Sequence, residues 1–458
     1  MNIMPYNPRK IVLTIITEVL EEKKPSHIVI KREQDKLGYA SVDNANKSFI
    51  TRVSKGTIER KITLDYIIDQ YSKTPVKKMK PFIREILRMS VYQIIYMDSI
   101  PDRAACNEAV KIVKDSSFRN LSAFVNGVLR TISREKEHIT YPDKEKDLVK
   151  YLEVMYSVPE WLVSFMIEEN GQEPTIEMLE HLYKEDKGIA VRMNVSKQPK
   201  EEIVDLLKKD KADVEETSLA DHMLWIKNQG DVKKLKAFKL GLIQPQNISA
   251  ALVAQVAGIQ PEMFVMDLCG APGGKTLHTA DLMKNTGKII SRDIYGRKVE
   301  IIRENAQRCG FTNIETGIYS ATEYDKQYEG MADVVIADVP CSGLGVIRTK
   351  ADIKYNVKHD NIYELAEISM QILKNAVKYL KKGGVLIFST CTITKEENEY
   401  VREWLLETGL VEKSDITPYL SEDLLAIGDN AKTAKDGYLK LLITEEYDGF
   451  YISKYIKK

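Results

Sequence analysis

The chain has 458 residues, 43% of them apolar and 29% charged, with a formal net charge of zero. Such a length points to roughly two to four domains and such a composition to buried cores of ordinary size, while no apolar run approaches the ~18 residues of a membrane span. The opening MNIMPYNPRK has no secretory apolar stretch, and five cysteines without a C-x-x-C pair, beside six scattered histidines, make neither a disulfide framework nor a metal site, so a cytoplasmic, metal-free protein is expected.

Residues 8 to 135 read as helical. NPRKIVLTIITEVLEE carries apolar residues at helical spacing behind an Asn-Pro start, and MKPFIREILRMSVYQIIYM begins a helix near Pro81. NEAVKIVK and AFVNGVLRTISR follow, and no strand pattern intervenes. Residues 1 to 140 hold 25 Lys and Arg against 16 Asp and Glu, so the remainder holds 42 against 51. An excess of +9 on the first third suits a polyanionic partner.

The charged stretch SREKEHITYPDKEKD reads as a linker. Beyond it PEWLVSFMIEEN, TIEMLEHLYKE and PKEEIVDLLKKD read as helices, GIAVRMNV and HMLWIKN as strands. These make a small α+β region. From about residue 260 strands and helices alternate: MFVMDL, KTLHTADLM, GKIISRD, RKVEIIRENAQRCG, ADVVIADVP, NIYELAEISMQILKNAVKYLKKGG and GGVLIFSTC. That rhythm predicts a largely parallel, doubly wound sheet, whose ligands sit at the carboxyl ends of its strands.

DLCGAPGGKT, residues 267 to 276, lies at the first of those ends. Its Gly-Gly-Lys-Thr suggests a phosphate loop, but that loop needs a glycine five residues before the second one, and the position is Cys269. With Gly270 the loop is one residue short. The alternative is a turn of small residues that lets a nucleoside cofactor approach the backbone, with an acid some 20 residues on for the ribose hydroxyls. Asp293, which ends GKIISRD 24 residues after Cys269, supplies that acid.

Cys341 and Cys391 follow two further strands, each with a hydroxyl residue behind it, Ser342 and Thr392. Cys106 and Cys309 read instead as small buried apolar residues. A thiol in such a crevice suits methylation of a pyrimidine at C5. C5 is a poor nucleophile until a thiolate adds to C6; it then takes a methyl group from a sulfonium donor, loses its proton, and the thiolate leaves. A carboxyl near N3 would assist, and Asp338, three residues before Cys341, is placed for it. The chemistry alone leaves open which cysteine attacks.

DLCGAPGGKT, ADVPCSGLGV with KADIKYN after it, and FSTCTITKEEN closely resemble the motifs of the RNA cytosine-C5 methyltransferases. LDYIIDQY, ILRMSVYQIIYMDSIPDRAACNEAV and FVNGVLR resemble the NusB-like domain of the RsmB (Sun) branch of that family. Together they cover most of the chain. The resemblance implies an all-α NusB-like RNA-binding domain over 1–140, a small α+β RNA-binding subdomain over 145–240, and a Rossmann-like α/β methyltransferase domain over 241–458. It implies S-adenosylmethionine as cofactor, held by Cys269, Gly270, Ala271, Pro272, Gly273, Gly274, Lys275, Asp293 and Asp338. Lys275 would also reach the target nucleotide. Cys391 is implied as the nucleophile, Cys341 as the residue that assists release of the RNA adduct, and Asp338 as the acid beside the cytosine. The implied substrate is a cytosine of 16S rRNA in a single strand or loop. Two other readings are a methyltransferase acting on tRNA or another rRNA site, and a non-catalytic NusB-like RNA-binding factor.

The chain departs from the pattern in places. Gly270 stands for a usual alanine, a mild change; Ser320 stands for the usual acid after the third strand; Asn247 and Ile248 stand for expected acids. VSKGT replaces a Val-Tyr-Gly-Thr-like run, and Ala351 a proline between Lys350 and Asp352. These departures lead to an expectation of weaker cofactor binding, with the reaction itself kept.

Overall fold

The computed structural model describes residues 7–39, 44–185, 187–227 and 231–458. Contacts group the chain into two units: Met1–Tyr183 with Ile347–Val357, and Lys184–Val346 with Lys358–Lys458.

The first unit is helical throughout its described residues, apart from turns. Its first helix, Pro8–Leu20, starts where Asn7 accepts hydrogen bonds from the backbone N–H groups of Arg9 and Lys10, with Pro8 supplying a preset first turn. The central helix, Pro81–Tyr96, starts at the expected proline and is buried along most of its length. Even its charges are interior. Arg88 grips both oxygens of Asp65 at 2.6 and 2.7 Å and reaches Glu85 at 2.5 Å, while burial pushes the Glu85 carboxyl up to about 8. Ile16, Ile67, Ile86, Leu87, Ala109, Val125 and Leu129 belong to one core here. The helices Glu160–Asn170 and Gln172–His181, expected within the 145–240 region, group with this unit, as does the helix Leu148–Tyr156 before them.

So does Ile347–Val357, the stretch that holds the KADIKYN motif. Ser26 donates to Asp352, Lys354 Nζ donates to the carbonyls of Glu59 (2.9 Å) and Tyr156 (3.4 Å), and Tyr355 shares a hydrogen bond with Ser157 Oγ (2.9 Å). Ala351 is buried in the helical core.

The second unit holds two sheets. The smaller contains β1 (Ile189–Met193), β2 (Asp213–Glu216), β3 (Met223–Lys227) and β4 (Ile243–Pro245), all antiparallel, in the order β2-β3-β1-β4. Helix Lys200–Lys209 shares its core through Ile203 and Leu207. The larger contains β5 (Phe264–Asp267), β6 (Lys288–Asp293), β7 (Ile314–Ile318), β8 (Ala332–Asp338), β9 (Leu380–Thr390), β10 (Val411–Lys413), β11 (Tyr438–Leu441) and β12 (Phe450–Lys457). Its order is β10-β12-β9-β8-β5-β6-β7, with β11 on β12. From β5 to β9 the neighbours are parallel, as the alternating pattern predicts; β12 runs antiparallel to β9. The chain moves outward from β5 to β7, then crosses back to β8 on the other side of β5. The order therefore reverses between β5 and β8, and the crevice beyond their carboxyl ends is where such sheets take ligands.

Candidate active site

β5 ends at Asp267, whose register partner on β6 is Ser291. The chain then turns through Cys269–Gly273 into the helix Gly274–Leu282. Gly273 sits at φ +105°, where a side chain would strain the backbone, and its N–H closes the turn on Gly270 O at 2.7 Å. Gly270 is glycine for a different reason. Its N–H donates to Arg292 O at 2.7 Å, and a Cβ there would meet Ser291 Oγ at 2.2 Å. Ser291 Oγ in turn hydrogen-bonds Thr276 Oγ1 (2.8 Å), which donates to Asp267 Oδ2 (2.6 Å). Burial pushes Asp267 up to about 6. Ala271 is half-buried and Pro272 exposed, with Asn305 donating to the Pro272 carbonyl at 3.2 Å.

The Cys269 thiol is pushed up by burial and by the carboxylates of Asp267, Asp338 and Asp293 around it, so it is no nucleophile. The same surroundings bring Asp293 and Asp338 to one turn. Asp293 accepts from the Tyr295 N–H at 3.1 Å and has Lys298 at 3.7 Å. Beside it Ile294, Tyr295 and Ile318 are more than half exposed, at 56%, 61% and 65%. A strand-end acid flanked by uncovered apolar side chains fits the ribose and base of a nucleoside cofactor.

Two of the expected departures have structural accounts. Asn247 caps the helix Ile248–Ala257 through the Ser249 N–H (3.0 Å) and reaches Asp448 at 2.8 Å, while Ile248 is in the core. Ser320 pairs with Thr322 (2.8 Å). Asp325 binds Arg292 at 2.6 Å, with the guanidinium against the rings of Tyr319 and Tyr328.

The two expected cysteines meet. Cys341 Sγ lies 3.2 Å from Cys391 Sγ and accepts from the Cys391 N–H at 3.3 Å. Its hydrogen bond to Cys391, then burial, push the Cys341 thiol well up, and the charges of Glu397 and Asp338 act the same way. Asp338, at the end of β8, pairs with Ser389 in register and accepts from Ser389 Oγ at 2.8 Å. Its other oxygen binds Lys275 Nζ at 2.6 Å. Burial opposes the Lys275 charge, but Asp338 more than offsets it and holds the ammonium charged; Asp267 and Cys391 add to that. Lys275 also lies 5.4 Å from the Phe450 ring centre.

Sequence reasoning missed several residues that shape this site. Ser389 stands in the quoted FSTC but is not singled out there, and Phe450 carries no motif signal. Glu397 and Asn398 stand in the quoted TKEEN, where a charged turn ordinarily reads as solvated. Here both are fully buried. Glu397 binds Ser342 behind Cys341 and Thr394 behind Cys391; Asn398 binds Thr390 (2.5 Å) and the Thr392 carbonyl (3.1 Å).

The family model described as 16S rRNA methyltransferase RsmB/F matches residues 254–456, and that of the NusB family matches residues 6–134. The chain is 34% identical over 454 residues to the probable ribosomal RNA small subunit methyltransferase B of Bacillus subtilis (strain 168), covering 98% of each. The corresponding probable methyltransferase of Synechocystis sp. is 29% identical, over 97% of this chain and 98% of that one. Among solved structures, PH0851 superposes with a TM-score of 0.81 at 24% identity, over 99% of this chain and 100% of that one, a likeness of fold. The chain belongs to the family of ribosomal RNA small subunit methyltransferases B.

Proposed function

We propose that this member of the RsmB/F methyltransferases moves a methyl group from S-adenosylmethionine to C5 of a cytosine in 16S rRNA through a covalent cysteine–C6 adduct. The observation that carries the reading is the meeting of two sulfurs 3.2 Å apart at the ends of neighbouring parallel strands, beside the Lys275–Asp338 ion pair. Both cysteines follow the carboxyl ends of β8 and β9, where such sheets take ligands.

S-adenosylmethionine, when bound, supplies an electrophilic methyl on a sulfonium. The turn Cys269–Lys275 and Asp293 hold it. Cys391 attacks because Cys341 keeps its proton and donates toward the Cys391 sulfur, while the Lys275 ammonium favours negative charge there. The S–C6 bond forms and C5 becomes enamine-like. Asp338, oriented by Ser389 and Lys275, faces the ring as charge develops. After methylation the C5 proton departs to a base, the C6–S bond breaks, and the thiolate returns; Cys341 assists this breakdown. The target base has to leave its stack, which is least demanding in a loop. The basic helical unit and the small β-sheet supply phosphate contacts and shape recognition in a cytoplasmic setting.

The test is a pair of substitutions assayed with rRNA and labelled cofactor. Cys391→Ala abolishes turnover and forms no adduct. Cys341→Ala traps protein on RNA as a denaturant-resistant complex. The reverse pattern exchanges the two roles; absence of 5-methylcytosine with wild-type protein favours a non-catalytic RNA-binding factor. Bisulfite mapping in wild-type and deletion strains separates 16S rRNA from tRNA or another rRNA site.

A further inference from the structure

Glu397 is 0% exposed and spans the two cysteine loops. The Ser342 N–H donates to Oε1 at 2.6 Å, Ser342 Oγ donates to Oε2 at 2.6 Å, and Thr394 Oγ1 donates to Oε2 at 2.8 Å. Ser342 Oγ also bonds Thr392 Oγ1 at 2.7 Å. One carboxylate thus ties the residue after Cys341 to the third residue after Cys391. Asn398, its neighbour, braces the end of β9 through Thr390 and Thr392.

We propose that Glu397 is a positioning residue that holds the Cys341 thiol against the Cys391 sulfur and so divides the work between the two cysteines. The inference rests on the methyltransferase reading above and adds the group that sets up its nucleophile. Three donors converge on Glu397, a number that suits an ionised, acceptor-only carboxylate and not an amide, which has one accepting oxygen and a donating nitrogen. The bridge fixes where Cys341 sits. Its charge opposes a second negative charge on Cys341, which therefore stays a donor toward Cys391. Burial raises the Glu397 carboxyl, but the Ser342 and Thr394 bonds work against that rise and favour the ionised form.

Full-length Glu397→Gln keeps the volume and removes the charge and at least one of the three bonds. Its first readout needs no RNA: competitive alkylation with iodoacetamide across pH, with mass spectrometry at each cysteine. In wild-type protein Cys391 reacts before Cys341. In Glu397→Gln the Cys391:Cys341 ratio falls by about tenfold, the scale on which local charge moves thiol reactivity. Ser342→Ala, which deletes the Oγ links but leaves the charge, lowers it less and serves where the first variant folds poorly. The second readout is turnover. Glu397→Gln lowers kcat by about tenfold or more with KM for S-adenosylmethionine within about twofold, the pattern of a lost interaction outside cofactor binding. Unchanged alkylation ratios in both variants would overturn the proposal, as would a fall in kcat matched by an equal loss of cofactor binding. If wild-type protein makes no 5-methylcytosine on any RNA, the functional reading fails while the alkylation ratio still judges Glu397.

Discussion

Alanine at position 270 would place a methyl group 2.2 Å from Ser291 Oγ and 3.0 Å from both Asp267 Oδ2 and Thr276 Oγ1. An ordinary contact is about 3.5 to 4 Å, so something has to move by more than an ångström. The loop resists, because Gly270 N–H is bound to Arg292 O at 2.7 Å. Overpacking of this kind costs about 1–3 kcal/mol. If Ser291 swings aside instead, its bond to Thr276 is lost, worth about 1 kcal/mol. We expect Gly270→Ala to weaken the turn by about 1–3 kcal/mol, the lower figure holding if Ser291 swings aside. Expressed in binding, that is a loss of roughly 5- to 150-fold in S-adenosylmethionine affinity by calorimetry. Ser291→Ala clears the space, so the double variant Gly270→Ala/Ser291→Ala recovers most of the loss, with a coupling of about 1–3 kcal/mol. Wild-type affinity and melting temperature in Gly270→Ala, or additive effects in the double variant, refute the reasoning. If the loss and its rescue are both seen, the usual alanine of this motif requires a smaller or displaced partner on β6.

Asp267 is buried and raised from its ordinary value to about 6. A raised carboxyl favours the folded state fully only below its unfolded value near 4, and that stability is lost as pH rises through about 6. Asp267→Asn keeps an acceptor for Thr276 and removes the buried charge. Its melting temperature should therefore exceed that of wild type at pH 8, with the gap closing between pH 6 and 4; a gap that is constant or grows toward low pH contradicts this assignment. Lys275→Met leaves Asp338 without its 2.6 Å partner and removes the ammonium beside Cys391. Loss of one preorganised charge partner at a reacting centre costs about 10²–10³ in kcat, measured as 5-methylcytosine formed under saturating cofactor. A variant within about threefold of wild type, a spread small beside the effects of such groups, places Lys275 outside the chemistry.

What could be read in advance follows from which signals are local. Periodicity marked the helices from Pro8 to Glu135 and the strands from Phe264 to Thr390, and the strand ends marked Asp267, Asp293, Asp338, Cys341 and Cys391, because each is a property of a short window. Membership in a core is not. The helices Glu160–Asn170 and Gln172–His181 are legible as helices, yet nothing in their own pattern says that they join the helical unit, and Ile347–Val357 follows the Pro-Cys loop in sequence while packing with the same unit. The antiparallel β12, which brings Phe450 to Lys275, continues no strand-helix alternation and so was not anticipated. Glu397 shows why charge is a poor guide to exposure. Its three donors come from Ser342 and Thr394, and Ser342 is 55 residues away, so its burial is visible only once the two loops are side by side. Gly270 carries the same point into motif comparison. Judged along the chain, glycine for alanine is a mild change toward looser packing. Judged across the sheet, where the register sets Asp267 against Ser291, it is the residue that Ser291 requires. A departure from a motif has a sign only relative to the residue that faces it.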